Sequence, residues 1–187
     1  RDDLDAGLAK QNATNLSWGE NSFRQLVNSQ REIRKPSDIH GLKIRYAASP
    51  LYKDVFTALG ANPVQMSWSD MQTALSTGAI DGLETPITHF MNTKLYLLKQ
   101  NYMSVWNYST DANLMMLNTE VWNTFEPRDQ EILREGARLG AEWRIANARK
   151  GIGIDGDRST LDAIEANGVT VSELSNEEKA AFAAVTA

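Results

Sequence analysis

The sequence predicts a mixed α/β chain in which helices flank a parallel or mixed sheet. Three observations carry this expectation. The chain has 187 residues, 42% of them hydrophobic and 23% charged, enough to bury a core. Its apolar residues fall into short strand-like runs separated by longer runs with helical spacing. Proline, glycine, serine and asparagine punctuate the boundaries, so strand and helix alternate throughout.

Taken in order, residues 15–18 and 42–46 read as short strands. Between them, residues 35–41 form a proline-opened helical turn, with Ser37 as its N-cap and Gly41 as its stop. Leu51, Val55, Ala58 and Leu59 share one helical face after Pro50, and Gly60 ends that helix. A strand returns at 62–66, and Ser67 can cap a helix over 69–78. A further strand is predicted at 79–84, stopped by Pro86, then a helix at 88–99. Residues 105–108 and 113–117 read as two strands within an extended stretch from 102 to 118. Pro127 opens a long helix with a buried stripe of Ile132, Leu133, Ala137, Gly140, Ala141 and Ile145, ending near Lys150. Glycines at 151, 153 and 156 make a break, followed by a helix at 157–166, a strand at 169–171 and an end helix opened by residues 175–178. No internal repeat or low-complexity tract marks a boundary.

Composition excludes several classes of function. Lys and Arg total 19 against 24 Asp and Glu, a net charge of −5, with no basic stripe to neutralise a phosphate backbone, so nucleic acid is not an expected partner. No apolar run approaches the roughly 20 residues needed to span a bilayer, and residues 1–5 lack the basic-then-apolar pattern of a signal peptide. Cysteine is absent, which removes disulfides, thiolate metal sites and thiol nucleophiles. His40 and His89, the two histidines, lack the spacing of a helical zinc site. Residues 151–156 do not match a dinucleotide fingerprint, and no serine sits in a nucleophile elbow. Neither a cofactor nor a metal is expected. Asp81 and Glu84 are close enough in sequence for acid–base work, but Asp81 beside Gly82 suits a turn and Glu84 lies near a strand-ending proline.

Arginine at strand ends is the more informative feature, because ligands of open α/β sheets bind beyond the carboxyl ends of strands. Arg45 is the clearest case. Its guanidinium presents a planar fork that matches a carboxylate with two bonds. At this point a carboxylate clamp and a solvated surface arginine are equal readings.

Four motifs now bring a family into view. Residues 38–45 (Asp-Ile-His-Gly-Leu-Lys-Ile-Arg) with 49–52 (Ser-Pro-Leu-Tyr), residues 59–70, residues 74–86, and Trp18 to Arg24 with Asn28-Ser29 occur in order. The chain resembles the solute-binding proteins of TRAP (tripartite ATP-independent periplasmic) transporters of the DctP-like kind. The resemblance covers only the middle and later parts of that family, so the chain is expected to be a portion of a longer protein whose opening βαβ units precede residue 1.

The resemblance implies a type II periplasmic-binding-protein-like, two-lobed fold with mixed sheets flanked by helices, one long helix spanning the lobes and the N-terminal part of one lobe missing. Residues 1–20 would be a remnant of lobe I, 21–110 most of lobe II, 111–150 the strand and long helix returning to lobe I, and 151–187 the C-terminal part of lobe II. It implies a periplasmic receptor, not an enzyme, that captures a small organic acid and delivers it to TRAP membrane permease subunits. Arg45 would clamp the carboxylate, Arg24 would reach the ligand as a second basic group, and Trp68 would pack on it. Thr85 stands where many members have asparagine and would keep a hydrogen bond. Glu84 would orient the clamp arginine from behind, and Tyr108 stands where many members have histidine, a departure from the usual pattern. Two other readings compete: a carboxylate-dependent enzyme with Asp81 or Glu84 as base, and a fragment serving as an assembly module.

Overall fold

A computed structural model describes residues 2–154 and 156–186. The expected glycine break includes Asp155, and the sequence reading also touched Arg1 and Ala187; those three lie outside the described residues. The chain divides into two units, Arg1–Ser22 with Thr110–Arg149, and Phe23–Ser109 with Lys150–Ala187.

The first unit contains a helix the sequence reading did not anticipate, α1 (Asp2–Lys10), followed by a strand far longer than expected, β1 (Ala13–Asn28), whose residues up to Ser22 belong here. β1 pairs with β6 (Thr110–Asn118). Asn118 caps the short α5 (Thr119–Trp122), its Oδ1 accepting from the amides of Glu120 at 2.9 Å and Val121 at 3.2 Å. The long helix α6 runs Pro127–Asn147, opened by Pro127 as predicted, but only Ala137 of its expected stripe is buried. Arg144 ties it to β1 by donating to the Glu20 carbonyl at 3.2 Å and to the Asn21 side chain.

In the second unit the sheet order is β3-β2-β4-β1-β5-β7. The remaining strands are β2 (Lys43–Tyr46), β3 (Asn62–Gln65), β4 (Gly82–Pro86), β5 (Tyr102–Val105) and β7 (Thr170–Glu173). β2 runs parallel to β3 and β4, and β5 parallel to β7, while β1 is antiparallel to both β4 and β5. The start of β1's contribution to this unit therefore lies at the same edge as the carboxyl ends of its neighbours. This is the mixed sheet flanked by helices that the sequence predicts.

Strand alternation sends side chains to two cores. On one face Val27, Leu83, Met103 and Val105 pack against α3 (Trp68–Thr77), α4 (Ile87–Asn92) and α7 (Ser159–Glu165). On the other, Leu26, Ile44 and Tyr46 pack against α2 (Pro50–Ala58) and α8 (Asn176–Thr186). Ser67 caps α3 as expected, accepting from the Asp70 amide at 3.2 Å, and Gly78 closes that helix at φ 73°. Gly82 is required by close approach, since a Cβ there would meet the Val27 carbonyl oxygen at 2.1 Å.

Several boundaries differ from expectation, each for a local reason. The turn at Pro36–Ile39 opens one residue before Ser37, because Asp38 Oδ2 accepts from the backbone of Arg34 and Lys35, both at 3.0 Å. The helix expected over 88–99 stops at Asn92, where Lys94 takes a left-handed conformation, and a 3₁₀ turn follows at Leu95–Leu98. β4 begins at Gly82, not residue 79, and includes Pro86 as its last residue. Residues 106–108 leave the strand after Val105, with Asn107 at φ 53°.

Candidate functional site

Five segments of the second unit bring the predicted residues to one edge of its sheet. Arg45 is the penultimate residue of β2, and Thr85 and Glu84 are the last residues of β4 before Pro86. Trp68 opens α3 just past the end of β3, and Tyr108 follows β5. Arg24 joins them from the antiparallel strand, since its register partner is Pro86.

The pleat then separates them. Arg45 pairs with Leu83 and so shares its face with Leu83 and Thr85. Arg24 shares the opposite face with Leu26 and Glu84, Leu26 being the register partner of Glu84. Arg24, 9% exposed, is ion-paired through Nε to Glu84 Oε2, and its Nη2 donates to the Glu84 carbonyl at 3.2 Å. Glu84 is 0% exposed. Glu84 is thus bonded to Arg24 and not to the clamp candidate Arg45, because adjacent strand positions point to opposite faces.

Arg45 is 4% exposed, yet it makes one hydrogen bond, from Nε to the Met66 carbonyl at 3.0 Å, and no ion pair among the described residues. Its guanidinium lies over the Trp68 ring, 5.7 Å from the centroid. Burial lowers its pKa, the Glu84 carboxylate partly opposes that, and Arg24 adds to it. An arginine stays protonated nonetheless. The surface-arginine reading fails on burial: this is a desolvated cation whose terminal nitrogens have no partner among the described residues.

Trp68 is 37% exposed and meets His89 edge-on with centroids 5.8 Å apart. Thr85 is 0% exposed, and its hydroxyl has no hydrogen-bond partner among the described residues. Tyr108 packs on Trp106 at 4.7 Å, Tyr52 at 6.0 Å and Phe56 at 6.3 Å, while Tyr52 lies under Arg24 at 5.6 Å. Burial, with the Glu84 carboxylate and Tyr52 close by, pushes the Tyr108 hydroxyl far up, and that hydroxyl finds no partner of ordinary geometry. Tyr108 thus backs the Arg24–Glu84 side of the sheet.

Sequence reasoning missed an amide pair at this edge, formed by buried Gln25 and half-buried Asn107. Gln25, 0% exposed, donates to Asn107 Oδ1 at 2.6 Å and accepts from the Asn107 amide at 3.0 Å. No spacing in the sequence links residues 25 and 107. Thr88, with a buried and unpartnered hydroxyl, was also missed.

Asp81 lies at the other end of β4, where its Oδ2 accepts from the Lys43 amide at 2.8 Å at the start of β2. It serves the turn, and it does not converge with Glu84. No cluster of three or more metal-ligating side chains occurs among the described residues. None of their helices is long and apolar enough to cross a membrane.

The family model described as bacterial extracellular solute-binding protein, family 7, matches residues 1–187. A TRAP periplasmic solute-binding protein from Ralstonia eutropha, solved with bound (S)-2-acetolactate, is 42% identical, superposes with a TM-score of 0.92, and is matched over 99% of this chain and 59% of that one. A second, from Bordetella bronchispeptica with density assigned to pantoate, is 29% identical with a TM-score of 0.87, over 99% and 58% of the two chains. The 2,3-diketo-L-gulonate-binding periplasmic protein of Escherichia coli is 29% identical over 91% of this chain and 50% of its own. The chain spans about half the length of the curated relatives it matches.

Proposed function

Since the chain belongs to the bacterial extracellular solute-binding proteins of family 7, we propose that it is part of a periplasmic receptor that captures a small organic acid and passes it to TRAP permease subunits. Arg45 carries the reading. A cation this buried is costly unless an anion meets it, and the planar fork of a guanidinium matches a carboxylate. Trp68 supplies an apolar wall and Thr85 a hydroxyl, while Glu84 and Tyr108 hold Arg24 from behind. The two structural neighbours whose ligands are acetolactate and pantoate support a small carboxylate as the cargo.

The two units correspond, in this reading, to parts of two lobes: residues 1–20 and 111–150 to lobe I, and 21–110 and 151–187 to lobe II. The receptor does not transform its cargo. Asp81 is spent on a turn and Glu84 on Arg24, so neither stands as a free base beside the Arg45 fork.

The test is ligand-dependent thermal stabilisation of the complete protein with a panel of small carboxylates, followed by product analysis. Binding to the native state alone stabilises by about 2.7 kcal/mol at a hundredfold excess over Kd. Stabilisation without turnover, lost in Arg45→Ala, is the expected result. Product formation from a stabilising acid would establish an enzyme, and an unchanged response in Arg45→Ala would remove the clamp.

A further inference from the structure

The ladder between β1 and β5 runs as far as the Leu26–Ser104 pair, and the next tie between the two segments goes from the Arg24 amide to the Ser109 carbonyl at 2.8 Å. Residues 105–108 therefore form an excursion that stands opposite Gln25 alone, a bulge of the kind that re-aims side chains. Asn107 lies within it at φ 53°, a left-handed conformation that asparagine tolerates but that costs energy unless its surroundings hold it. Gln25 supplies the hold. Its side chain, buried under the sheet edge, grips Asn107 at two points, Nε2 donating to the side-chain oxygen and Oε1 accepting from the backbone amide.

What the turn carries is the aromatic support of Arg24. Trp106, just before Asn107, meets Phe182 edge-on at 5.1 Å, and Tyr108, just after it, meets Tyr52 at 6.0 Å. Tyr52 in turn lies under the Arg24 guanidinium at 5.6 Å. A continuous path thus runs from the amide pair through two rings to the arginine. Resting on the receptor reading above only for the use to which Arg24 is put, we propose that Gln25 and Asn107 are positioning residues: by pinning the excursion in its left-handed turn they hold Tyr108 behind the Arg24–Glu84 pair and fix the direction in which Arg24 is presented. Leucine at position 25 would leave the Asn107 amide and side-chain oxygen without their partners, and the turn would rearrange to bond them elsewhere.

Three variants of the complete protein test this: Gln25→Leu, Asn107→Ala and Asn107→Gly. The last two lose the same side-chain oxygen, but only glycine takes the left-handed turn without strain, so their difference isolates the turn from the lost bond. Two local signals are read while circular dichroism shows the chain folded. One is the alkaline absorbance step of Tyr108, identified by its loss in Tyr108→Phe. The other is the slowly exchanging Arg24 Nε–H in a nitrogen-15 spectrum, identified by its loss in Arg24→Lys. In wild type and Asn107→Gly, Tyr108 is expected to keep its proton until unfolding begins and the Arg24 signal to persist. In Gln25→Leu and Asn107→Ala, the Tyr108 step is expected to move down toward the ordinary tyrosine value of 10.0, and the Arg24 signal to be lost to exchange. Both signals intact in Gln25→Leu and Asn107→Ala, with only a lower melting temperature, would reduce the pair to a stabilising contact and overturn the proposal. Asn107→Gly behaving like Asn107→Ala would overturn the turn as the element that carries the effect. Neither signal involves cargo, so a failure of wild type to bind any small carboxylate would count against the receptor reading alone.

Discussion

Glu84 is bonded to Arg24 across the β4–β1 pair and faces away from Arg45, although β2, which carries Arg45, is the neighbour of β4 on its other side. One carboxylate thus serves one of two arginines. The other remains a buried charge with no carboxylate bonded to it among the described residues, and most of the testable behaviour follows from this division.

Arg45→Lys is expected to weaken carboxylate binding more than Arg24→Lys. Lysine keeps the charge but loses the fork, and Arg24 needs its charge chiefly for Glu84. Arg45→Ala removes one side of a desolvated charge pair and is expected to cost about 2–5 kcal/mol of binding, at least a hundredfold at the upper part of that range. Calorimetry on the complete protein gives the order of the three variants, and an Arg24→Lys defect exceeding that of Arg45→Lys would contradict it.

Glu84→Gln breaks a buried ion pair from one side and leaves Arg24 uncompensated, so unfolding free energy should fall by about 3–5 kcal/mol. Replacing both partners together, as Arg24→Met with Glu84→Leu, should recover much of that loss. Chemical denaturation of wild type, Arg24→Met, Glu84→Leu and the double variant forms the cycle, and additive losses in the double variant would show that the two residues do not act as a pair.

Tyr108 makes stability fall in alkali. Its folded pKa lies above the unfolded value near 10.0, so the unfolded chain loses the proton first as pH rises. The contribution is therefore complete below pH 10 and is lost progressively above it. Tyr108→Phe, which removes a hydroxyl without an ordinary partner, should leave stability near neutral pH almost unchanged and flatten the alkaline decline. Melting curves from pH 7 to 11 measure both parts.

Gly82→Ala should be severe for its size. The added Cβ meets the backbone of Val27, which cannot rotate away, so β4 must shift against β1 and disturb the strand end carrying Glu84 and Thr85. A loss of about 3 kcal/mol, the upper range for overpacking, is expected. A stability within experimental error of wild type would mean that the two strands part easily.

Much of the fold was readable because its signals are local. Ser67 and Gly78 bracket α3, Pro127 opens α6, and β2 was placed between Gly41 and the helix after Pro50. The largest error fell where a neighbour at long range prevailed. β1 extends to Asn28 through polar residues such as Glu20, Asn21, Arg24 and Gln25, which carry no apolar alternation; pairing with β4, β5 and β6 keeps it extended. α1 carries no buried residue, so it left no apolar stripe to detect.

By itself the sequence determined most of the order of strands and helices from residue 35 onward, the absence of thiol chemistry, and the placing of Arg45 at a strand end, because caps, turns and residue types act within a few positions of themselves. Only the tertiary structure decided which arginine Glu84 would neutralise, that Arg45 would be buried without a carboxylate, and that the hydroxyl of Thr85 would be left unbonded. Those outcomes depend on strand register and on which side of the pleat each residue faces. A shift of one residue in β4 would have exchanged Glu84 and Thr85 between the two faces, and with them the partners of both arginines.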